Sequence, residues 1–417
     1  MNAPQSIDDI DIVSNETFAE NGYPHEAWAL LRREAPVYWY ERDVKVPFWA
    51  ITKHEDIRWI SRQPARMLNA PRLAVFPMFA PPEEDERVAR HLLNMDAPDH
   101  PKYRKLAAPR FTPRAIQRLS ASIEKIASDI LDELTHDGEL SEMDFVTSVT
   151  APLSLAVLAD LLGVPRGEWK QMFRWTNAIV GAEDPEYRLA ENPQASAAAA
   201  RTALFERFLK LAEERRAQPT EDIVSVLANA EADGGPIPPF ELLSYFFLLV
   251  IAGNETTRNA MSGGLAALIE NPGEFEKLRG DPSLIDSAVE EIVRWTTPVI
   301  QFCRTATEDF LLRGQQIRAG ESMCLFYPSA NRDEDVFEDP FAFRVDRQPN
   351  RHLAFGIGEH FCLGANLARL ELRILFRLLC ERLEHVELAG PMERLASSFL
   401  GGVKHLPLHY RLRPSAG

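Results

Sequence analysis

The sequence predicts a mainly α-helical fold with a small β region, built as a single domain over residues 1–417. Apolar residues recur at helical spacing, as in the series Leu204, Phe208 and Leu211. Strand-like pieces are short and have turn-rich borders, notably 37–40 and 48–52, which favours a small sheet at one side of a helical body. Length alone would allow about two or three domains, but no repeat, low-complexity segment or linker divides the chain.

Composition and charge limit the classes of function. The chain has 46 Lys and Arg against 62 Asp and Glu, a net charge of −16, which argues against nucleic acid as the main partner. The longest apolar run, 246–252, is too short to cross a bilayer. Residues 1–15 are polar and acidic, without the features of a secretion signal, and are expected to be flexible. With four cysteines at no metal-binding or redox spacing, we expect a cytoplasmic protein without stable membrane insertion.

The strongest chemical signal is the segment 355–364, with the sequence FGIGEHFCLG. Cys362 lies at the start of a predicted amphipathic helix that extends to about Leu383, and the unpaired N–H groups of a helix start stabilise a thiolate. The glycines let the backbone approach a flat partner closely. A free cysteine buried at a helix start is the simpler alternative. The combined pattern of glycines, histidine and cysteine favours a metal-ligating thiolate.

This segment resembles the signature of the cytochrome P-450 family, Phe-x-x-Gly-x-His-x-Cys-x-Gly, through Phe355, Gly358, His360, Cys362 and Gly364. The resemblance covers nearly the whole chain, because other family motifs appear in order. It implies the cytochrome P-450 fold, with haem b held between a long central helix and the Cys362 loop, and with Cys362 as the ligand of the haem iron. Such a thiolate pushes electron density toward bound dioxygen and favours O–O cleavage.

Residues 240–270 are predicted to form that long helix, whose apolar start must be buried. Its middle, 252–257, has the sequence AGNETT, in which a glycine, an acid and two threonines weaken a helix centre; such conflicts tend to mark functional sites. A packing glycine and a threonine hydroxyl bonded to its own helix would be the ordinary explanation. The segment is similar to the family motif Ala-Gly-x-Asp/Glu-Thr-Thr, which implies that Thr256 is the oxygen-protonation alcohol and Glu255 its acid partner.

Charged residues elsewhere match further family motifs. Glu291 and Arg294 stand at helical i, i+3 spacing; a surface ion pair is the usual explanation. The resemblance instead implies a buried structural pair that meets Arg347. Haem also carries two propionates that need fixed cations. The resemblance implies that four residues contact them, although each alone is more often a solvated charge: His100, Arg104, Arg304 and His360.

Candidate pocket residues come from family-equivalent segments, beginning with the apolar segment 71–82, which is predicted to be a packed loop. A core position is equally available for each of them: Leu73, Val75, Phe76, Met78 and Phe79 in that loop, Leu248, Leu249 and Ala252 in the long helix, and Val299, Ile300, Phe399 and Leu400. Nearly all are apolar, so a pocket made of them would accept a bulky apolar substrate. The sequence is also similar to the bacterial branch that acts on sterols, methyl-branched lipids and terpenoids.

The resemblance implies a monomeric monooxygenase that inserts one atom of O2 into an unactivated C–H bond of such a substrate. No dinucleotide-binding fingerprint is present, so electrons must come from another protein, by resemblance a ferredoxin. A basic cluster could dock it, or could be a solvated helix face: Arg104, Lys105, Arg110, Arg114 and Arg118. A haem protein that binds ligand without oxygenation and a peroxide-driven peroxygenase are the alternatives. The Glu255–Thr256 pair favours the oxygen-activating enzyme.

Overall fold

The structure is a computed structural model that describes residues 6–76, 90–180 and 184–415. Helices dominate this part of the chain, which confirms the mainly α prediction. The α-helices are α1 Asn15–Asn21, α2 His25–Glu34, α3 His54–Ser61, α4 Asp99–Ala107, α5 Pro113–Gln117, α6 Ser120–Glu133, α7 Ala151–Leu162, α8 Trp169–Val180, α9 Pro193–Ala217, α10 Ile223–Ala228, α11 Pro239–Glu270, α12 Pro272–Gly280, α13 Ile285–Thr296, α14 Tyr327–Ala330 and α15 Ala365–Arg382.

The strands are short and form small sheets. They are β1 Val37–Tyr40, β2 Phe48–Ile51, β3 Met67–Leu68, β4 Ser141–Asp144, β5 Glu231–Ala232, β6 Gly235–Pro236, β7 Gln301–Ala306, β8 Phe310–Leu312, β9 Gln315–Ile317, β10 Ser322–Phe326, β11 Leu383–Leu388, β12 Glu393–Arg394, β13 Val403–His405 and β14 Pro407–Leu412. The largest sheet has the order β1-β2-β10-β7-β3. All its neighbours are antiparallel except β10 and β2, which are parallel. A second sheet has the order β11-β14-β4.

Helix α11 is the axis of the helical body. It packs against α7, α9, α13 and α15, and its apolar first half is buried, as Phe246 and Phe247 show. A glycine allows the close approach of two of these neighbours, because a Cβ on Gly264 would lie 2.6 Å from Ile292 of α13 and 2.8 Å from Phe376 of α15. Among the helices that the structure describes, none is long and apolar enough to cross a membrane.

The N-terminal segment corrects one expectation. Residues 1–15 were expected to be flexible, but the chain is packed from Ile10 onward, where Ile10, Ile12 and Val13 are buried in a core with Trp28. Burial of these apolar side chains outweighs the polar character of the segment as a whole. Ser14 then caps α1 by accepting a hydrogen bond from the Thr17 N–H. Residues 1–5 lie outside the described part of the chain.

A buried ion cluster joins α13 to the irregular segment after β10. Both carboxylate oxygens of Glu291 accept bonds from Arg294, at 2.7 and 2.8 Å, and the Nε of Arg347 lies 3.1 Å from each. All three side chains are at most 5% exposed. Burial alone would raise the pKa of Glu291, but hydrogen bonds from Arg294 and its neighbours lower it. The pair is therefore buried, and it meets Arg347.

We expect the substitution Glu291→Ala to destabilise the protein by about 3–5 kcal/mol, because it leaves two arginines buried without their carboxylate. Unfolding in urea and the yield of soluble protein measure the effect. Glu381→Ala is the matched control, since Glu381 pairs with Arg377 at i, i+4 on the surface and an exposed pair contributes less than about 1 kcal/mol. Equal midpoints for the two variants would show that the buried cluster does not hold the fold.

Candidate active site

A cavity lies between α11 and the loop before α15. Its walls come from helices α4, α7, α11 and α15 and strand β7, and most of its lining is apolar. The residues from α11 are Leu248, Leu249, Ala252, Gly253, Thr256, Thr257 and Ala260, and the opposite side is formed by Ala354, Phe355, Gly356, Ile357, His360, Cys362, Leu363 and Gly364. The two motifs that the sequence analysis singled out therefore face each other across one space.

The loop that carries Cys362 is held by its own backbone. The Cys362 N–H donates to the Phe355 carbonyl at 2.9 Å, and the Gly356 N–H donates to Leu353 at 2.8 Å. Gly356 and Gly358 have φ of +68° and +84°, in a region of backbone conformation that residues other than glycine rarely adopt. A Cβ on Gly358 would also lie 2.3 Å from the Ser61 carbonyl oxygen. The glycines are thus required by both the turn and its packing.

The Cys362 thiol is open to the cavity. Helix α15 begins at Ala365 rather than at the cysteine itself. Surrounding protein raises the pKa of the thiol, while the backbone N–H of Gly364 and the charge of Arg104 lower it. A metal ion bonded to the sulfur would hold it as the thiolate. In the described part of the chain, no group of three or more His, Cys, Asp or Glu could hold a metal ion.

The four residues expected to meet propionates all line this cavity. The His100 Nδ1–H donates to the Glu359 carboxylate at 2.9 Å, and the His100 ring stacks on that of His360 with centroids 4.0 Å apart. Its other nitrogen, Nε2, is buried without a partner. Arg104 donates to the Phe361 carbonyl and Arg304 to the Cys303 carbonyl, and Arg304 also bonds the Tyr327 hydroxyl. Their guanidinium charges therefore have no carboxylate partner among the described residues.

The middle of α11 presents its small residues to the cavity. Ala252 and Thr256 lie one helical turn apart and share a face, and the Thr256 hydroxyl donates to the Ala252 carbonyl at 2.7 Å. The hydroxyl thus makes the ordinary back-bond to its own helix while it borders the cavity. Gly253 serves packing, because a Cβ there would lie 3.0 Å from Leu158 of α7.

Glu255 faces away from the cavity lining. It is fully buried and pairs with Arg258 of the next turn. Burial raises the pKa of Glu255, and Arg258 lowers it in part. Arg258 in turn lies 5.9 Å from the ring centroid of Tyr187 and contacts Asn177 of α8 at 3.3 Å. The acid is therefore enclosed between α11 and the region around α8.

The candidate pocket residues divide into two groups. Leu73, Leu248, Leu249, Ala252 and Val299 line the cavity, but several others do not. Ile300 points the opposite way from Val299, as successive strand-like residues do, and is buried with Val75 in the core beneath the N-terminus. Phe76 is 37% exposed. Phe399 and Leu400 stand behind the lining, against Phe302 and Val299. Met78 and Phe79 lie outside the described residues.

Sequence reasoning missed several groups at the site. Phe302, Leu158, Leu161 and Leu162 add apolar wall, and Glu371 of α15 lines the cavity as a buried acid. Burial raises the pKa of Glu371 well above its ordinary value. Its position could have been predicted from the sequence, because Glu371 lies four residues after Leu367 and so shares its apolar helix face. Glu290 was also missed: it accepts two bonds from Arg369, whose guanidinium covers the ring of Phe355 at 4.5 Å.

These features fit a haem group. A largely apolar space has a thiol on one side and small helical residues on the other. The unpartnered His100 nitrogen and two arginines without carboxylate partners border the same space, and the arginines can pair with acidic substituents. The donors present thus match a flat ligand that brings both a metal and negative charge.

Comparison with known proteins confirms the family resemblance. The family model for cytochrome P450 matches residues 79–401. A steroid C26-monooxygenase of Mycolicibacterium smegmatis is 37% identical over 422 aligned residues, which cover 98% of this chain and 95% of the relative. A linalool 8-monooxygenase of Pseudomonas putida is 37% identical over 390 residues, covering 92% and 94%.

Comparison with solved structures indicates the same family. A Mycobacterium marinum cytochrome P450 in complex with pseudoionone superimposes with a TM-score of 0.90 at 36% sequence identity, covering 98% of this chain and all of the other. The family implies a haem-thiolate cofactor, which the thiol loop and its surroundings fit. This chain therefore belongs to the cytochrome P450 family and is a monooxygenase of that family.

Proposed function

We propose that the protein hydroxylates an unactivated C–H bond of a bulky apolar molecule, with Cys362 as the ligand of haem b iron and electrons from a ferredoxin. The observation that carries this proposal is that Cys362 and the Ala252–Thr256 turn of α11 border one largely apolar cavity. When bound, haem supplies the iron at which dioxygen is activated. The chain's own residues hold that group, exclude water and manage protons.

Four side chains would hold the propionates: His100, Arg104, Arg304 and His360. Each borders the cavity, and the two arginines, which have no carboxylate partner among the described residues, supply hydrogen-bond donors for negative charge. The unpartnered His100 Nε2 becomes a further donor when the ring is protonated. Cys362 is the matching group for iron, since its thiol opens into the same space.

Thr256 and Glu255 would manage protons. The Thr256 hydroxyl already lies at the cavity surface and needs only to exchange its bond to the Ala252 carbonyl for one to a bound molecule. Glu255 is a buried acid paired with Arg258, and burial raises its pKa, which suits a group that takes up and releases a proton.

The electron donor would approach a basic surface near the thiol loop. Lys105, Arg114 and Arg118 are exposed and form no ion pair with any described residue. The Asn366 amide of α15 donates to the Phe111 carbonyl at 3.0 Å, so this basic surface adjoins the helix that follows Cys362. In a chain with net charge −16, a local positive surface favours a small acidic protein such as a ferredoxin.

With all four cysteines free of disulfides, a cytoplasmic setting suits the protein.

The substrate would be a hydrocarbon framework. The cavity wall opposite the thiol is apolar, from Leu248, Leu249 and Val299 to Phe302. Two relatives are named for oxidation of a steroid and of linalool, and both of those molecules are mostly hydrocarbon. A steroid, terpenoid or branched lipid therefore suits this site better than a charged molecule.

Ligation by Cys362 has a direct spectroscopic test. Purified protein should be red, and its reduced form under carbon monoxide should show the far-red-shifted Soret band that a thiolate ligand produces. Cys362→His should retain haem but lose that band, while Cys380→Ala, which changes a cysteine away from the cavity, should keep it. A wild-type spectrum of the histidine-ligated kind would contradict the assignment.

Thr256→Ala should uncouple the reaction, because Ala preserves the helix and removes only the hydroxyl. Reductant use should continue while product per reductant falls about tenfold and hydrogen peroxide rises. Glu255→Gln should instead slow the whole cycle, on the order of 100-fold, since proton delivery weakens. Reductant, peroxide and product are measured in one reaction with a ferredoxin pair.

The control for this experiment is Thr296→Ala. Thr296 makes the same i−4 hydroxyl bond, to the Ile292 carbonyl at 2.8 Å, but lies on α13 outside the cavity lining, so its loss should leave coupling unchanged. Unaltered product per reductant in Thr256→Ala would assign the proton step to another group.

The substrate class can be tested by binding. An apolar molecule that fills the cavity displaces water from the iron and shifts ferric haem to high spin, which absorption spectroscopy detects. Steroids, terpenes and branched lipids should give the shift, and small aromatic acids should not. Replacement of a cavity wall residue, as in Leu249→Asp, should weaken binding at least tenfold, because a buried charge beside hydrocarbon is costly. High-spin shifts confined to the charged acids would contradict the hydrocarbon assignment.

A further inference from the structure

A second cleft lies away from the thiol loop, on the far side of the C-terminal half of α11. It has a cavity volume of about 350 Å³, within the range of small-molecule sites. Its walls come from the α1–α2 connection, α11, the end of α13 and the β12–β13 region. Much of the lining is flat or apolar: Phe18, Tyr23, Trp295, Phe341, Met392 and Leu395.

Three polar side chains line this cleft, each with a buried nitrogen that has no partner among the described residues. They are the Nε of Arg332, the Nδ2 of Asn259 and the Nδ1 of His25. Arg332 and Asn259 are each only 2% exposed. Two of these atoms, in Arg332 and Asn259, can only donate hydrogen bonds. Since a buried donor left unsatisfied is costly, the cleft is built to receive an acceptor.

Arg332 forms no ion pair with any described residue, although the Glu291 carboxylate acts on its charge from farther away. Its two terminal nitrogens donate to the Arg294 and Trp295 carbonyls, at 3.2 and 3.1 Å, and its guanidinium lies 4.2 Å from the Trp295 ring centroid. No carboxylate of the described chain lies within 4 Å of it. Burial, together with the neighbouring charge of Arg294, lowers the pKa of Arg332. A negative ligand would relieve this unfavourable state.

The surroundings add positive charge and an aromatic wall. Arg394 also lines the cleft and forms no ion pair with any described residue, so two arginines face a single acid, Glu270. The His25 ring makes edge contacts with the rings of Tyr23 and Phe341, with centroids 5.7 Å apart in each case. Burial and the nearby arginines lower the pKa of His25, so it is a neutral ring that can lie against an apolar ligand.

We propose that the second cleft is a binding site for a small organic carboxylate with a flat apolar body. The carboxylate would accept hydrogen bonds from the Arg332 and Asn259 donors, with Arg394 near the opening, and the body would lie against the aromatic wall. A site of this kind is separate from the cavity that holds Cys362, since no residue lines both.

Sodium benzoate is the probe, titrated calorimetrically into the haem-loaded enzyme in a buffer of low ionic strength. Benzoate should bind with a dissociation constant below about 1 mM, a binding free energy of about −4 kcal/mol. Benzyl alcohol, the uncharged analogue, and inorganic phosphate, which has no apolar body, should each bind at least tenfold more weakly. Heat from benzyl alcohol or phosphate at the strength of benzoate would overturn the carboxylate assignment, and no heat from benzoate up to 10 mM would overturn the site, leaving only water there.

Two variants locate the binding. Asn259→Asp has nearly the same shape but places a fixed negative charge in the cleft, so benzoate affinity should fall at least tenfold. Arg394→Gln should weaken it about threefold. Arg411→Gln removes an exposed arginine of β14 outside the cleft and should change nothing. These variants avoid Arg332 itself, whose bonds to the end of α13 contribute to folding.

The haem spectrum separates this site from the active site. Benzoate bound in the second cleft should leave the Soret band of the ferric enzyme unchanged at saturation. A Soret change that follows the calorimetric isotherm and persists in Asn259→Asp would place benzoate at the haem and overturn the proposal. Benzoate binding to the cleft is measured by calorimetry and by variants outside the active site. A negative result would therefore contradict the second site without contradicting the hydroxylase assignment.

Discussion

One carboxylate, that of Glu291, organises the irregular half of this structure. It binds Arg294 and Arg347, and Arg294 also donates to the Asn331 carbonyl at 2.8 Å. The Asn331 side chain then accepts from the Leu353 N–H at 2.7 Å, and the Leu353 carbonyl accepts from Gly356. A chain of hydrogen bonds thus runs from a buried ion cluster to the turn that presents Cys362.

This arrangement explains how a stretch with little regular structure can hold a reactive group in place. In a helix or sheet, the backbone pairs with itself, but between β10 and α15 most carbonyl groups need other donors. The guanidinium groups supply them: Arg347 donates to the Glu338, Asp339 and Ala342 carbonyls. Glu291 therefore positions two arginines, and the remaining N–H groups of those arginines bind carbonyls of the loop backbone. This hydrogen-bond network holds the turn that carries Cys362 in place.

The sequence predicted those features that depend on local pattern. The long helix α11, the short strands and the thiol loop follow from periodicity, turn residues and a family motif, and Cys362 and Thr256 meet at one cavity as a result. Features that depend on contacts distant in sequence could not be predicted this way. The stacking of His100 on His360 joins two segments far apart in the chain. The packing of Ile10 and Ile12 in one core with Trp28 could not be predicted either, because the acidic residues around them indicate an exposed segment.

Adjacent residues of α11 point in different directions, and this decides how the acid and the alcohol can cooperate. Thr256 shares a face with Ala252, four residues earlier, and borders the cavity, whereas Glu255 is rotated by about 100° and pairs with Arg258. Arg258 is itself held between the aromatic rings of Phe173 and Tyr187. A proton that passes from Glu255 to Thr256 must leave one helix face for another. If Glu255 supplies protons as proposed, we therefore expect the strength of its pair with Arg258, rather than its closeness to Thr256 in sequence, to decide how readily it does so.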